Sequence, residues 1–107
     1  MSKSITFEHG GKKYTLCFTL RTAGQCEQDG FVLEELAEKP ATMIPLLFYW
    51  SFVQNHRGIT KKQTSEIFKE MTHKEDLVVA LGEMYSDAVS ALIDTDEEEG
   101  NANWTVN

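Results

Sequence analysis

Apolar and polar positions alternate near the start of the chain. Ile5 and Phe7 flank Thr6, and after two glycines the residues on one face of a second segment are Tyr14, Leu16, Phe18 and Leu20. A period of two is typical of a strand with one buried face. Gly10 and Gly11 suit the positive φ of a tight turn. We predict a β-hairpin over residues 5–20, whose apolar face must pack on helices or pair with another chain, because an isolated two-stranded hairpin is marginal in water.

The apolar period changes to about 3.6 residues after Leu20, which indicates helices. Three threonines are each followed three residues later by Gln or Glu: Thr22 with Gln25, Thr60 with Gln63, and Thr72 with Glu75. In such a capping box the threonine oxygen accepts a hydrogen bond from a first-turn N–H, and the later side chain bonds to the N–H of the cap. We expect each of these threonines to open a helix.

The positions of proline and glycine predict where the helices begin and end. The sequence predicts helices over residues 22–28, 31–38, 42–56, a short segment after Thr60, and 74–93. Pro40 should end the second of these helices, Pro45 should sit in the first turn of the third, and Gly58 should follow its C-terminus. The expected fold class is α+β, mainly α: an N-terminal β-hairpin followed by a bundle of about four to five helices. Residues 1–93 should form one domain, and residues 94–107 a flexible acidic tail.

The most apolar stretch is residues 43–53, in which only Ser51 is plainly polar. A helix that is apolar on every side must lie inside a bundle or lend part of its surface to a partner. As a helix it would be roughly 17 Å long, too short to cross the ~30 Å core of a bilayer. The last helix carries a wide apolar stripe as well, at Leu77, Leu81, Met84, Ala88 and Leu92, flanked by Val78, Tyr85, Val89 and Ile93.

The charge of the chain disfavours two classes of partner. The 107 residues include 10 Lys plus Arg and 17 Asp plus Glu, for a net charge of -7, and five of the acids fall within residues 94–99. Without clustered basic residues, binding to nucleic acid or to anionic lipid is disfavoured. Cys17 and Cys26 form no CxxC pair, and the N-terminus has no apolar signal segment, so we expect reduced cysteines and a cytoplasmic protein.

No pattern in the chain indicates catalysis or metal binding. Asp94, Asp96 and Glu98 alternate like the start of a calcium loop, but Glu99 and Thr105 stand where the loop needs glycine and glutamate. The histidines have no zinc-site spacing, and phosphate-binding and nucleophile motifs are missing. We expect a protein that is not an enzyme and has no cofactor or metal. Trp104, alone in the polar tail, is either inert or a docking anchor.

The remaining candidate site is apolar. We predict that two sets of residues form the core plus a surface that accepts a helix of a partner. The sets are Leu46, Phe48, Tyr49, Trp50, Phe52 and Val53 on the middle helix, and Leu77, Leu81, Met84 and Tyr85 on the last one. Contiguous apolar surface beyond a few hundred Å² is unusual on a monomer, which favours self-association or capture of an apolar client.

The order of elements resembles the small tail assembly chaperones of long-tailed bacteriophages and their prophage relatives. Residues 5–7 and 11–21 are similar to the opening hairpin of that family, residues 31–36 to the helix before its apolar middle segment, and residues 57–63 and 65–68 to its linker and short fourth helix. The long last helix and the acidic end fit as well. The resemblance covers most of residues 5–93, and its motifs are generic.

This resemblance implies a chaperone that binds the tape measure protein, a long helical chain, and keeps it soluble until tail-tube subunits polymerise around it. It also implies a possible longer form, made by ribosomal frameshifting, that recruits the tail tube protein. The expected compartment is then the cytoplasm of the bacterial host, and a homo-oligomer is expected. Two rival interpretations stay open: an acidic interaction or inhibitor module, antitoxin-like or anti-repressor-like, that binds a basic partner through residues 94–99, and a small enzyme with an unobvious site.

Overall fold

The computed structural model describes residues 3–92 and 105–106. In chain order the elements are β1 (Ile5–His9), β2 (Lys12–Leu16), α1 (Leu20–Gln28), a short 3-10 helix (Leu33–Glu35), α2 (Pro40–Val53), α3 (Lys61–Lys69) and α4 (Lys74–Ser90). The predicted class is therefore confirmed: an antiparallel hairpin precedes four α-helices in a mainly helical α+β fold. The acidic run at residues 94–99 and Trp104 lie outside the described residues, so the expected tail is not tested.

The hairpin pairs Ile5 with Leu16 and His9 with Lys12. Gly10 and Gly11 have φ of +59° and +78°, the double positive φ of the type I′ turn that suits a two-residue loop. The second strand is shorter than predicted, because it ends at Leu16 rather than Leu20. Beyond it the Cys17 N–H donates to the carbonyl of Ser51 in α2 at 2.9 Å, so the chain leaves the hairpin and turns onto the helices.

One of the three predicted capping boxes is confirmed, at Thr60 and Gln63. The box of α1 is shifted: Thr19 is the cap and its partner is Thr22, which lies buried three residues into the helix. The predicted Thr22 cap is therefore wrong, because the hydroxyl of Thr22 is used to accept the Thr19 N–H at 3.0 Å. The predicted Thr72 cap is also wrong, since His73 takes that position in a left-handed conformation with no side-chain capping bond.

Prolines account for two further corrections. Only residues 33–35 of the predicted helix 31–38 are helical, as a single 3-10 turn, and Pro40 opens α2 instead of merely ending the segment before it. Proline suits this first helical position because its fixed φ is helical and no N–H is needed there. Pro45 consequently lies one turn inside α2 rather than in its first turn. The helices predicted over residues 42–56 and 74–93 correspond to α2 and α4, which end at Val53 and Ser90, each three residues earlier than predicted.

The centre of the molecule is α2, which packs against α1, α3, α4 and β2. Phe52, fully buried, joins the hairpin to the helices: its ring centroid lies 4.9 Å from that of Phe48, 5.5 Å from Tyr14 and 6.2 Å from Phe7, all edge-on. The buried apolar core comprises Leu16, Phe18, Ala23, Cys26, Phe31, Met43, Leu47, Phe48, Phe52, Ile67, Leu77, Leu81, Met84 and Tyr85.

The outer edge of β2 is bonded to the turn that follows α2. The Thr15 N–H donates to Nε2 of His56 at 2.9 Å, and the Thr15 carbonyl accepts from the amide of Asn55 at 3.2 Å. These bonds satisfy the N–H and the carbonyl of Thr15, which would otherwise be unpaired on the edge of the strand. Among the residues the structure describes, no helix is long and apolar enough to cross a membrane.

Candidate functional site

The middle helix α2 has a buried face and a second, partly exposed face that is also apolar. Its buried residues are Met43, Leu47, Phe48, Ser51 and Phe52. The second face consists of Leu46, Tyr49, Trp50 and Val53, all half-buried. These four follow the spacing i, i+3, i+4 and i+7 that aligns side chains on one side of a helix. We call this set the outer stripe.

The ten predicted site residues divide between core and surface. Six are buried: Phe48, Phe52, Leu77, Leu81, Met84 and Tyr85. The other four are the outer stripe. The apolar stripe of α4 is thus used mainly inside the fold, and the candidate surface in this structure is centred on α2.

A cleft between α2 and α3 adjoins the outer stripe. Its apolar walls are Pro45, Leu46, Phe48 and Phe68, and Thr42, Thr64 and Ser65 add hydroxyls. The cleft has a volume of about 290 Å³, at the lower limit of pockets that hold small-molecule ligands. A space of this size and lining has room for one or two large apolar side chains.

Three helices meet at a single carboxylate on the rim of this cleft. Asp29, at the C-terminal cap of α1, accepts on Oδ2 from the Trp50 indole N–H at 3.0 Å and from the Lys61 ammonium at 2.6 Å. These hydrogen bonds, that of Lys61 first, hold the pKa of Asp29 below its usual value. The Lys61 ammonium also lies 5.6 Å from the centre of the Tyr49 ring, within cation–π range. Two aromatic side chains of the outer stripe are therefore held in place by groups from α1 and α3.

A second groove lies between the segment after α1 and the last turns of α4. It has a volume of about 520 Å³ and is lined by Phe31, Val32, Leu33, Tyr85 and Val89, with Glu27 and Glu34 beside them. The Tyr85 hydroxyl donates to Glu27 at 3.4 Å. Burial, with the charges of Glu27, Cys26 and Glu34 and that hydrogen bond, raises the pKa of Tyr85 to about 12.

Three further titratable side chains of the described residues, Cys26, His9 and His56, have defined contacts. Burial, followed by the charges of Asp29 and Glu27, raises the pKa of Cys26 to about 12, the reverse of what a thiolate nucleophile needs. His9 contacts Glu70 at 3.1 Å on the surface, and His56 accepts the Thr15 N–H. Within residues 3–92 and 105–106, no three His, Cys, Asp or Glu side chains come together as a metal site would require.

Sequence reasoning missed Asp29 and Lys61 as parts of the site. In the sequence Asp29 is only the residue after the first predicted helix, and Lys61 is only the residue after the predicted Thr60 cap. The two positions are 32 residues apart, and no periodicity relates them. Their meeting depends on how α1 and α3 pack on either side of α2, which the sequence pattern does not specify.

A family model covers residues 1–107, and the chain belongs to the family described as "Domain of unknown function (DUF5055)". No curated protein matches the chain, and no solved structure does either.

Proposed function

We propose that this protein is a phage tail assembly chaperone that binds the tape measure protein and keeps it soluble in the cytoplasm of the bacterial host. The observation that carries the proposal is the outer stripe: α2 has no polar face, so its outward side is aromatic and aliphatic and borders an apolar cleft. The hairpin and four-helix order agree with the family that the sequence resembles.

The proposed binding mode is a helix lying in a groove. A client helix with apolar side chains at i, i+3 and i+4 would place one of them in the α2–α3 cleft and the others against Tyr49 and Trp50. Large aromatic residues dominate the energy of such interfaces, because they bury much area at little entropic cost. The net charge of -7 would keep the complex in solution.

The proposal is tested by co-expressing the protein with the tape measure protein encoded in the same phage or prophage and measuring how much client stays soluble and co-purifies. Trp50→Ala should reduce capture by about tenfold or more, as expected for an aromatic interface residue worth about 2 kcal/mol. Val79→Ala is the matched control, because Val79 is 58% exposed on α4 and lies outside the outer stripe. Equal capture by wild type and Trp50→Ala, with the fold intact by circular dichroism, would contradict the proposal.

Deleting residues 94–107 separates this function from an acidic interaction module. A holdase that uses the outer stripe keeps its client after the deletion, whereas a module that binds a basic partner through residues 94–99 loses its partner. The proposed link to the tail tube protein requires a longer form. A gene immediately upstream of the tape measure gene, with an overlapping downstream frame, is the arrangement that would produce it.

A further inference from the structure

The ion pair on the cleft rim is exposed and replaceable. The side chain of Lys61 is 58% exposed and that of Asp29 is 30% exposed. Exposed ion pairs of this kind contribute little to the stability of a fold, and the Lys61 ammonium lies at the end of a flexible stem. A cation from another chain can therefore compete with Lys61 at low cost.

The Asp29 carboxylate can accept a hydrogen bond from a second cation. Both recorded hydrogen bonds end on Oδ2, and no group within residues 3–92 donates to Oδ1. The lowered pKa of Asp29 means that this group is charged at neutral pH. A cation from another chain, Lys or Arg, could therefore bond to Oδ1 while the Trp50 indole keeps its bond to Oδ2.

This anion lies at the mouth of an apolar space. Asp29 and Lys61 line the same cleft as Pro45, Leu46 and Phe68. A helix complementary to this place has an apolar side chain that can enter the cleft. One helical turn away it has a basic side chain that can reach the Asp29 carboxylate. That pattern belongs to an amphipathic helix with Lys or Arg flanking its apolar stripe.

We propose that the α2–α3 cleft selects an amphipathic client helix in which a Lys or Arg beside the apolar anchor replaces Lys61 at the Asp29 carboxylate. The proposal rests on the proposed function and adds the chemistry of the client segment. In the free protein Lys61 bridges α3 to α1 across the rim. In the complex it is released, and the client's cation takes its place while the apolar anchor enters the cleft.

Two synthetic peptides test this exchange. One is an amphipathic helix with a Leu face flanked by Lys, and the other has Gln in place of every Lys. Binding to the full chain is followed by fluorescence anisotropy. The wild type should bind the Lys peptide more tightly, but by only about twofold, less than one exposed ion pair is worth, because the client's cation first has to displace Lys61. Asp29→Asn should remove this preference, and Lys61→Gln should raise it to about threefold or more, the full value of one exposed ion pair, because no internal cation has to be displaced.

The control is Asp87→Asn, which removes one negative charge on α4, where Asp87 pairs with Lys3 at 3.6 Å outside the cleft. It should leave the preference for the Lys peptide unchanged and so exclude attraction by net charge alone. Asp29→Glu keeps the carboxylate and should keep the preference. A loss of preference in Asp29→Asn can then be assigned to the lost charge and not to misfolding. A preference that survives in Asp29→Asn, or weaker binding of the Lys peptide by Lys61→Gln, overturns the exchange.

The same experiment keeps the two proposals apart. If Trp50→Ala weakens both peptides equally while the Asp29 and Lys61 variants change nothing, the outer stripe binds helices and only the cation exchange is wrong. If Trp50→Ala leaves the binding of both peptides unchanged, the outer stripe does not bind helices, and the proposed function is contradicted independently of the cation exchange.

Discussion

Phe52 is the position at which the fold can be tested most severely. Its side chain is fully buried, and its ring meets Phe48 of the same helix and both aromatic residues of the hairpin, Phe7 and Tyr14, edge-on. The substitution Phe52→Ala would leave a cavity between β2 and α2. It should therefore loosen the hairpin and the centre of the bundle together.

The expected cost is large relative to the stability of a small domain. Phe→Ala substitutions in cores cost about 3–5 kcal/mol, because the transfer free energy is lost and the cavity collapses only partly. A domain of this size is stable by about 5–15 kcal/mol. With a urea m-value near 1.5 kcal/mol/M, the unfolding midpoint should fall by about 2–3 M.

The assay is urea unfolding followed by far-UV circular dichroism. Val79→Ala serves as the control, because an exposed helix position should change the free energy of unfolding by less than about 0.5 kcal/mol. A loss below about 1 kcal/mol for Phe52→Ala would refute the central position assigned to this ring. It would mean that the hairpin is held by other contacts.

Two further predictions concern a helix cap and a pair of buried groups. Thr60→Ala should lower the free energy of unfolding by about 1 kcal/mol because the capping box with Gln63 is lost, whereas Thr60→Ser should restore most of it, both by urea unfolding. The pKa values of Cys26 and Tyr85 are both raised to about 12, so the unfolded chain releases these protons at lower pH than the folded one. Stability should be fully present below about pH 9 and fall as the pH rises towards 12, and Cys26→Ala should reduce the slope of that fall; a flat profile over this range would contradict the burial of both groups.

Much of the fold was visible in the sequence because period and turn chemistry are local. The glycine pair, the alternation before it and the helical period after Leu20 each depend on neighbours within a few residues. Each led to the right kind of element, except over residues 31–38, where only a single 3-10 turn forms. Thr60 with Gln63 worked for the same reason. Thr22 with Gln25 failed, because Thr19 offers an equally good cap three residues earlier and the turn made by Cys17 onto α2 decides between them.

The division of the apolar residues between core and surface could not be predicted. The middle helix has no polar face, so its pattern gives no direction, and only the packing of four neighbouring elements decides that Leu47 is buried while Trp50 is half-buried. Long-range pairs are hidden for a related reason. Asp29 and Lys61 look like a helix stop and a surface charge until α1 and α3 bring them together.

The bonds from His56 and Asn55 to Thr15 bear on how copies of this chain could join. They occupy the outward backbone groups of Thr15 in the middle of β2's outer edge, so a neighbouring chain could add a strand without displacing them only along β1. Two copies paired through β1 would give a four-stranded sheet with a β2 strand at each edge. Because each β2 edge is bonded to its own chain at Thr15, such edge-to-edge pairing would stop at the dimer and not continue into a fibril.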